Sequence, residues 1–256
     1  MKNKVLLISI DGMRPDGLLN CNNPFVKEFE SKCAYTYNGE SVNPSITLPC
    51  HFSMTHSVHP QRHGIISNIY APQVRPIKGL FEKVKENGFT TAFFYGWEPL
   101  RDIALPGSLN YGYYVNYNNC DFVDNILTNM CIDTLKENKP DFAFLYLVDT
   151  DETGHHYGWM TKQYLNKISN AFDNVKKLYD LFKDEYHIII MSDHGGHDRT
   201  HGTLLKEDMT IPFFFYGKEF ENKEIKTEVS LIDIAPTIVK LLGIEPDNEW
   251  EGHSII

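Results

Sequence analysis

No hydrophobic run in these 256 residues approaches the length of a membrane span. The longest, such as FAFLYLV at 142–148, reach seven residues or so, against about 20 for a spanning helix, and no membrane partner is expected. A basic excess is missing as well. Lys and Arg total 24 against 34 Asp and Glu, a formal net charge of −10, the wrong sign for coating nucleic acid by counterion release. Cysteine is sparse. Cys21, Cys33, Cys50, Cys120 and Cys131 are odd in number and contain no C-x-x-C pair, which excludes a disulfide framework and a thiolate zinc site and leaves free thiols. Linkers rich in Gly, Ser or Pro, repeats and low-complexity tracts are absent, so one domain over residues 1–256 is the simplest reading. The start, MKNKVLLISID, is basic and then briefly apolar, but it reaches Asp11 with no small-residue cleavage site; it reads as a buried strand of a cytoplasmic protein.

What is present is a globular composition, 42% hydrophobic and 23% charged, which fits a folded, enzyme-sized body. Apolar runs of strand length alternate with amphipathic segments, the signature of a mostly parallel sheet covered on both faces. The fold class is α/β. Strands are predicted at Val5–Ile10, Thr91–Tyr95, Phe142–Val148, His187–Met191 and Pro212–Tyr216, all rich in residues that favour strands. Helices are predicted at Ile77–Glu86, at Lys162 to about Lys183, at Leu231–Leu242 before Gly243, and from about Pro49 to Ser57. Residues 95–119 lack periodicity and read as an irregular excursion that walls a pocket.

Three strands run into carboxylates and imidazoles where the chain must turn, and ligands of open α/β sheets gather at the carboxyl ends of strands. Val5–Ile10 leads to Asp11-Gly12, the 142–148 strand to Asp149, Asp151 and His155, and the 187–191 strand to Asp193-His194-Gly195-Gly196 with His201 beyond. A lone Asp after a strand reads more readily as a turn or cap than as a ligand, and Asp151 with His155 is a weak signal by itself. Together they form two groups of oxygen and nitrogen donors without thiolates, the chemistry of catalytic zinc sites, and two groups imply two ions. Paired ions clamp the attacking and leaving oxygens of phosphoryl transfer. A nucleophile is then needed, and Ser45 to His51 offers hydroxyls just before a helix. Thr47 is a candidate there, although by itself it reads first as a helix cap.

ISIDGMRPD at 8–16, NPSITLPCHFSMTHSVHPQRHGIISN at 43–68, DETGHHYG at 151–158, SDHGG at 192–196 and HGT at 201–203 resemble, in order, the alkaline phosphatase superfamily. They are most similar to its nucleotide pyrophosphatase/phosphodiesterase branch, and IDIAPTIVKLLGI at 232–244 is similar to the superfamily's closing helix. The resemblance implies an alkaline phosphatase-like single domain, and the short chain implies a reduced cap. It makes Thr47 the nucleophile, groups Asp11, Thr47, Asp193 and His194 around one zinc, and gives Asp151, His155 and His201 the other. Manganese or iron would also suit these donors. Asn68 matches the branch's donor to a non-bridging phosphate oxygen. The implied activity is hydrolysis of a small phosphodiester through a phosphothreonine intermediate. Leu48 stands where the branch commonly has a base-stacking aromatic, and Tyr146 matches the other aromatic of that sandwich, so both are candidate substrate contacts. Asp149 stands where relatives often carry glutamate. A phosphonoacetate hydrolase, a phosphomonoesterase and a metal- or phosphate-binding module without turnover are the rival readings. Oligomeric state is not specified.

Overall fold

The computed structural model describes residues 3–256, so the first two residues of the basic start lie outside it. Its strands are β1 (Val5–Ile10), β2 (Ala34–Glu40), β3 (Thr91–Tyr95), β4 (Tyr111–Tyr114), β5 (Phe142–Leu147), β6 (His187–Met191) and β7 (Thr210–Tyr216). They form one sheet in the order β2-β7-β6-β1-β5-β3-β4. Only β7 runs against its neighbours β2 and β6; the other pairs are parallel. The three central strands β1, β5 and β6 are buried at every residue, as continuous apolar runs under two helical layers must be.

The helices are α1 (Pro15–Asn20), α2 (Pro24–Glu30), α3 (Thr47–His56), α4 (Pro60–His63), α5 (Leu80–Glu86), α6 (Val123–Glu137), α7 (Asp149–Tyr157), α8 (Lys162–Phe182), α9 (Lys206–Met209) and α10 (Ile234–Leu241). On one face α8 packs against α1, α2, α6 and α7; on the other α3 packs with α5 and α10. The long α8 seats Tyr164, Ile168, Phe172, Val175 and Leu178 in the core at the predicted three- and four-residue steps. Among the described residues no helix is long and apolar enough to cross a membrane, and the five cysteines are free.

Several boundaries move for local reasons. The helix expected from Ile77 starts at Leu80, because Glu82 turns back to accept the Gly79 N–H at 3.0 Å. The segment 231–242 opens as a 3-10 turn, Leu231–Asp233, with Asp233 accepting the Ser230 N–H at 2.8 Å, before α10 begins. Residues 95–119 are not wholly irregular: they hold two 3-10 turns, and β4 adds a strand to the sheet's edge beside β3. β2 is a further strand that the apolar pattern did not announce, antiparallel to β7 with a register shift between Thr36 and Gly39.

Candidate active site

Register delivers the site. Ser9 of β1 pairs with Met191 of β6, and Ile10 with Leu147 of β5, so Asp11 leaves the sheet beside Asp193 and close to the turn into α7. The antiparallel pair places Glu40 opposite Thr210, which carries the end of β2 and the loop before β7 to the same edge. Ser41 ties these segments together: its N–H donates to the Met209 carbonyl at 2.8 Å and its hydroxyl to the carbonyl of Asp193. Gly12 is essential to the close approach. Its φ is +67°, and a Cβ there would lie 2.9 Å from Asp151 Oδ1.

Asp11, Asp193 and His194 present ligand atoms within 4.8 Å of one another, all buried. Thr47 opens α3 immediately above them. Ile46, not Thr47, occupies the helix-cap position, and the Thr47 hydroxyl instead lies 3.1 Å from His194 Nε2. His194 Nε2 is in turn 3.2 Å from Asp11 Oδ1 and 3.4 Å from Asp193 Oδ2. The second group, Asp151, His155 and His201, also meets within 4.8 Å. His155 Nε2 is 3.3 Å from Asp151 Oδ2 and 3.1 Å from His201 Nε2. The imidazoles of His194 and His201 stack at 3.8 Å, joining the two groups.

Each of the three histidines points Nδ1 at a backbone carbonyl: Gly195 at 2.8 Å, Arg199 at 3.0 Å and Ser45 at 2.8 Å for His194, His155 and His201. A carbonyl only accepts, so Nδ1 carries a proton and Nε2 faces inward, where its lone pair serves a metal once any proton there, such as the one His155 shares with Asp151, is displaced. Asp11 Oδ1, Asp151 Oδ1 and Asp193 Oδ2 are buried without a hydrogen-bond partner. Unpartnered carboxylate oxygens facing the inward Nε2 atoms of imidazoles fit divalent cations. Asp11, Asp193, His194 and Thr47 would hold one, and Asp151, His155 and His201 the other.

Charge tells the same story. Burial, then Asp193 and Asp151, raises the Asp11 carboxyl well above its ordinary range. Burial and the neighbouring Asp151 push Asp193 up to about 7. Burial also works to raise Asp151, but the hydrogen bond from His155 and the fields of His194 and His201 hold it below normal. The same bond to Asp151 lifts His155 to about 9. Burial, with His201 alongside, drives His194 far below its usual value. Three carboxylates this close need positive charge to ionise together.

The other expected residues divide. Asn68 accepts the Leu48 N–H on Oδ1 at 3.0 Å, which leaves its NH2 free beside Thr47. Leu48 itself is 0% exposed within the core, so it makes no substrate contact; only its N–H takes part, by fixing Asn68. Tyr146 is 1% exposed and donates its hydroxyl to Asp11 Oδ2. It supports Asp11 and is not placed to stack on substrate, because a strand residue in the sheet's centre has no open face. Asp149 opens α7 and pairs with Lys167 at 2.8 Å.

Sequence reasoning passed over three supporting residues. Ser192 Oγ accepts the Met13 N–H at 2.8 Å and donates to the His194 carbonyl at 2.7 Å. Asp208, fully buried, accepts from His197 Nδ1 at 2.7 Å and from Thr203 N and Oγ1 at 2.9 and 2.8 Å, anchoring the loop that carries His201. Trp159 donates its indole N–H to the Gly12 carbonyl at 2.9 Å. Strand-end position could have flagged Ser192; Asp208 and Trp159 lie in segments with no periodic signal.

The fold and site define an alkaline phosphatase-like α/β domain with two adjacent carboxylate–imidazole groups beneath a buried hydroxyl. Residues 5–209 match the family model described as type I phosphodiesterase / nucleotide pyrophosphatase, and the chain belongs to that family. A bis(5'-adenosyl)-triphosphatase of Pongo abelii is 26% identical over 259 residues, covering 91% of this chain and 53% of the relative. Human ectonucleotide pyrophosphatase/phosphodiesterase family member 1 is 28% identical over 217 residues, covering 74% of this chain and 23% of the relative. The chain thus spans about half of the first relative's length and about a quarter of the second's. Among solved structures, an inactive variant of murine ectonucleotide pyrophosphatase/phosphodiesterase 5 in complex with AMP superposes with a TM-score of 0.80 at 17% identity, covering 96% of this chain and 97% of that one.

Proposed function

We propose that the chain hydrolyses small phosphodiesters or nucleotide pyrophosphate bonds, with Thr47 as nucleophile and two zinc ions as cofactors. The observation that carries this reading is the Thr47 hydroxyl 3.1 Å from His194 Nε2, which itself lies 3.2 and 3.4 Å from buried oxygens of Asp11 and Asp193 that have no hydrogen-bond partner among the described residues. The curated relatives' names, a dinucleoside triphosphatase and a nucleotide pyrophosphatase/phosphodiesterase, support the substrate class. Zinc follows from donors that are imidazole and carboxylate without thiolate.

Bound cations would hold the Thr47 oxygen as an alkoxide and offset the charge of the phosphoryl group. The chain's own residues do the rest. Thr47 Oγ1 forms a bond to phosphorus while the bond to the leaving oxygen breaks in line, and the phosphoryl group stays on Thr47. The N-terminus of α3 favours the anion there. Asn68, with Oδ1 held by the Leu48 N–H, directs its NH2 at a non-bridging oxygen, where negative charge grows. Water then breaks the threonine ester and restores the hydroxyl. It approaches past His155, whose side chain is 40% exposed whereas the first group is sealed.

The test compares hydrolysis of bis(p-nitrophenyl) phosphate, p-nitrophenyl phosphate and the p-nitrophenyl ester of thymidine monophosphate by zinc-loaded and chelator-treated protein. The reading expects chelator-sensitive turnover that favours the diesters, with the thymidine ester best. Preference for the monoester would make the protein a phosphatase. Silence on all three, with turnover of phosphonoacetate, would move it to C–P hydrolysis.

A further inference from the structure

One side chain touches three of the segments that carry candidate ligands at the carboxyl edge, and it is neither a ligand nor a nucleophile. Trp159 is 6% exposed. It lies in the turn after α7, where Gly158 at φ +100° and Met160 at φ +63° send the chain back beneath the helix. Its indole N–H holds the carbonyl of Gly12, next to Asp11. Its ring fills the space that two glycines leave open: a Cβ on Gly154, between Asp151 and His155, would lie 2.7 Å from it, and one on Gly196, two residues after His194, would lie 2.2 Å away. The imidazoles of His155 and His201 meet it edge-on at 5.2 and 6.0 Å. The backbone N–H of Trp159 donates to the Asp198 carbonyl at 2.8 Å, within the loop that delivers His201.

We infer that Trp159 is a positioning residue for the second cation group: its ring sets how far α7 stands from the 195–201 loop, and so fixes the separation of His155 and His201. The inference rests on the reading that Asp151, His155 and His201 hold a cation. The two imidazoles touch each other through Nε2, share Asp151 and are held by separate carbonyl bonds; the ring is the bulk that keeps the segments carrying them apart. The first group depends on it less. Asp11, Asp193 and His194 are placed by strand register, by the Gly12 N–H on Asp193 Oδ1 and by Ser192.

The experiment loads wild type, Trp159→Leu, Trp159→Phe and a His155→Ala reference with cobalt by equilibrium dialysis, then measures metal per chain, visible absorption and thermal unfolding. Leucine keeps apolar bulk without a ring or N–H, and phenylalanine restores a ring. Wild type is expected to bind two cobalt ions. Trp159→Leu should weaken one of them about 10–100-fold, the range for residues that orient ligands, and give the spectrum of His155→Ala. Trp159→Phe should recover much of the loss. Leucine and phenylalanine variants that both bind two ions with wild-type affinity would overturn the inference alone. So would an equal loss at both groups that tracks a fall in melting temperature, which marks a merely structural role. A wild type that binds no cobalt would overturn the cation reading itself, and the inference with it.

Discussion

The hydroxyl of Tyr146 has no outlet except Asp11 Oδ2, and the other oxygen of that carboxylate is left without a hydrogen bond. This division of labour orients Asp11: one oxygen is held from behind and the other is offered forward. Tyr146→Phe removes the hold while keeping the ring in the core. It is expected to lower cation affinity about 10–100-fold with little change in folding, which calorimetric titration with zinc would measure; unchanged affinity would remove Tyr146 from the site's support. Asn68 is placed differently, exposed at the rim and tied, among the described residues, to the Leu48 N–H alone. Asn68→Ala is expected to cut kcat/KM for a diester by roughly 10²–10³, the cost of losing one donor to developing charge, at unchanged melting temperature. The donors and Thr47 were legible in the sequence because strand ends, glycines and motif order all point to them. Leu48 and Tyr146 were not, because a motif position does not say which way a side chain faces. The helical rise buries Leu48, and the central strand encloses Tyr146.

Legibility of the elements followed their burial. β1, β3 and β6 start and end where the apolar runs do, since a strand covered on both faces must be apolar throughout. β2 reads AYTYNGE and is buried only at intervals, with its register shifted between Thr36 and Gly39; β4 is four residues, three of them tyrosine, at an edge. Edge strands carry a weak signal because one face and one side are open. α3 is different again, buried at all ten positions despite three polar hydroxyls and two histidines. Burial holds His56 down to about 4, and burial with His56 nearby holds His63 at about 3. Imidazoles in the unfolded chain take up protons near 6.5, so the stability these neutral histidines contribute is whole above that pH and is lost as pH falls toward 4. For His56 this amounts to about 3 kcal/mol. Thermal unfolding between pH 7.5 and 4.5 should show the decline, and the pair His56→Gln and His63→Gln should make it shallower while lowering stability at pH 7.5, the remainder belonging in part to His51, which burial also holds down to about 4. An equally steep decline in the double variant would contradict this account of the buried histidines of α3 and α4.

At the scale of the whole molecule, the sheet order explains why residues 11, 47, 151, 193 and 201 converge. β1 lies between β5 and β6, and the antiparallel β7 brings the His201 loop and the end of β2 to the same edge. The donors come from separate stretches of chain, so none of them is a site until the sheet forms, and the cations would lock these stretches together. The central claim is that Thr47 is the attacking group and not a further structural ligand. It is tested most directly by Thr47→Ala, measured for diester hydrolysis alongside metal content. The account predicts a loss of turnover of roughly 10³-fold or more in protein that still carries two cations per chain. Hydrolysis by the metal-loaded variant at a rate comparable to wild type would contradict it.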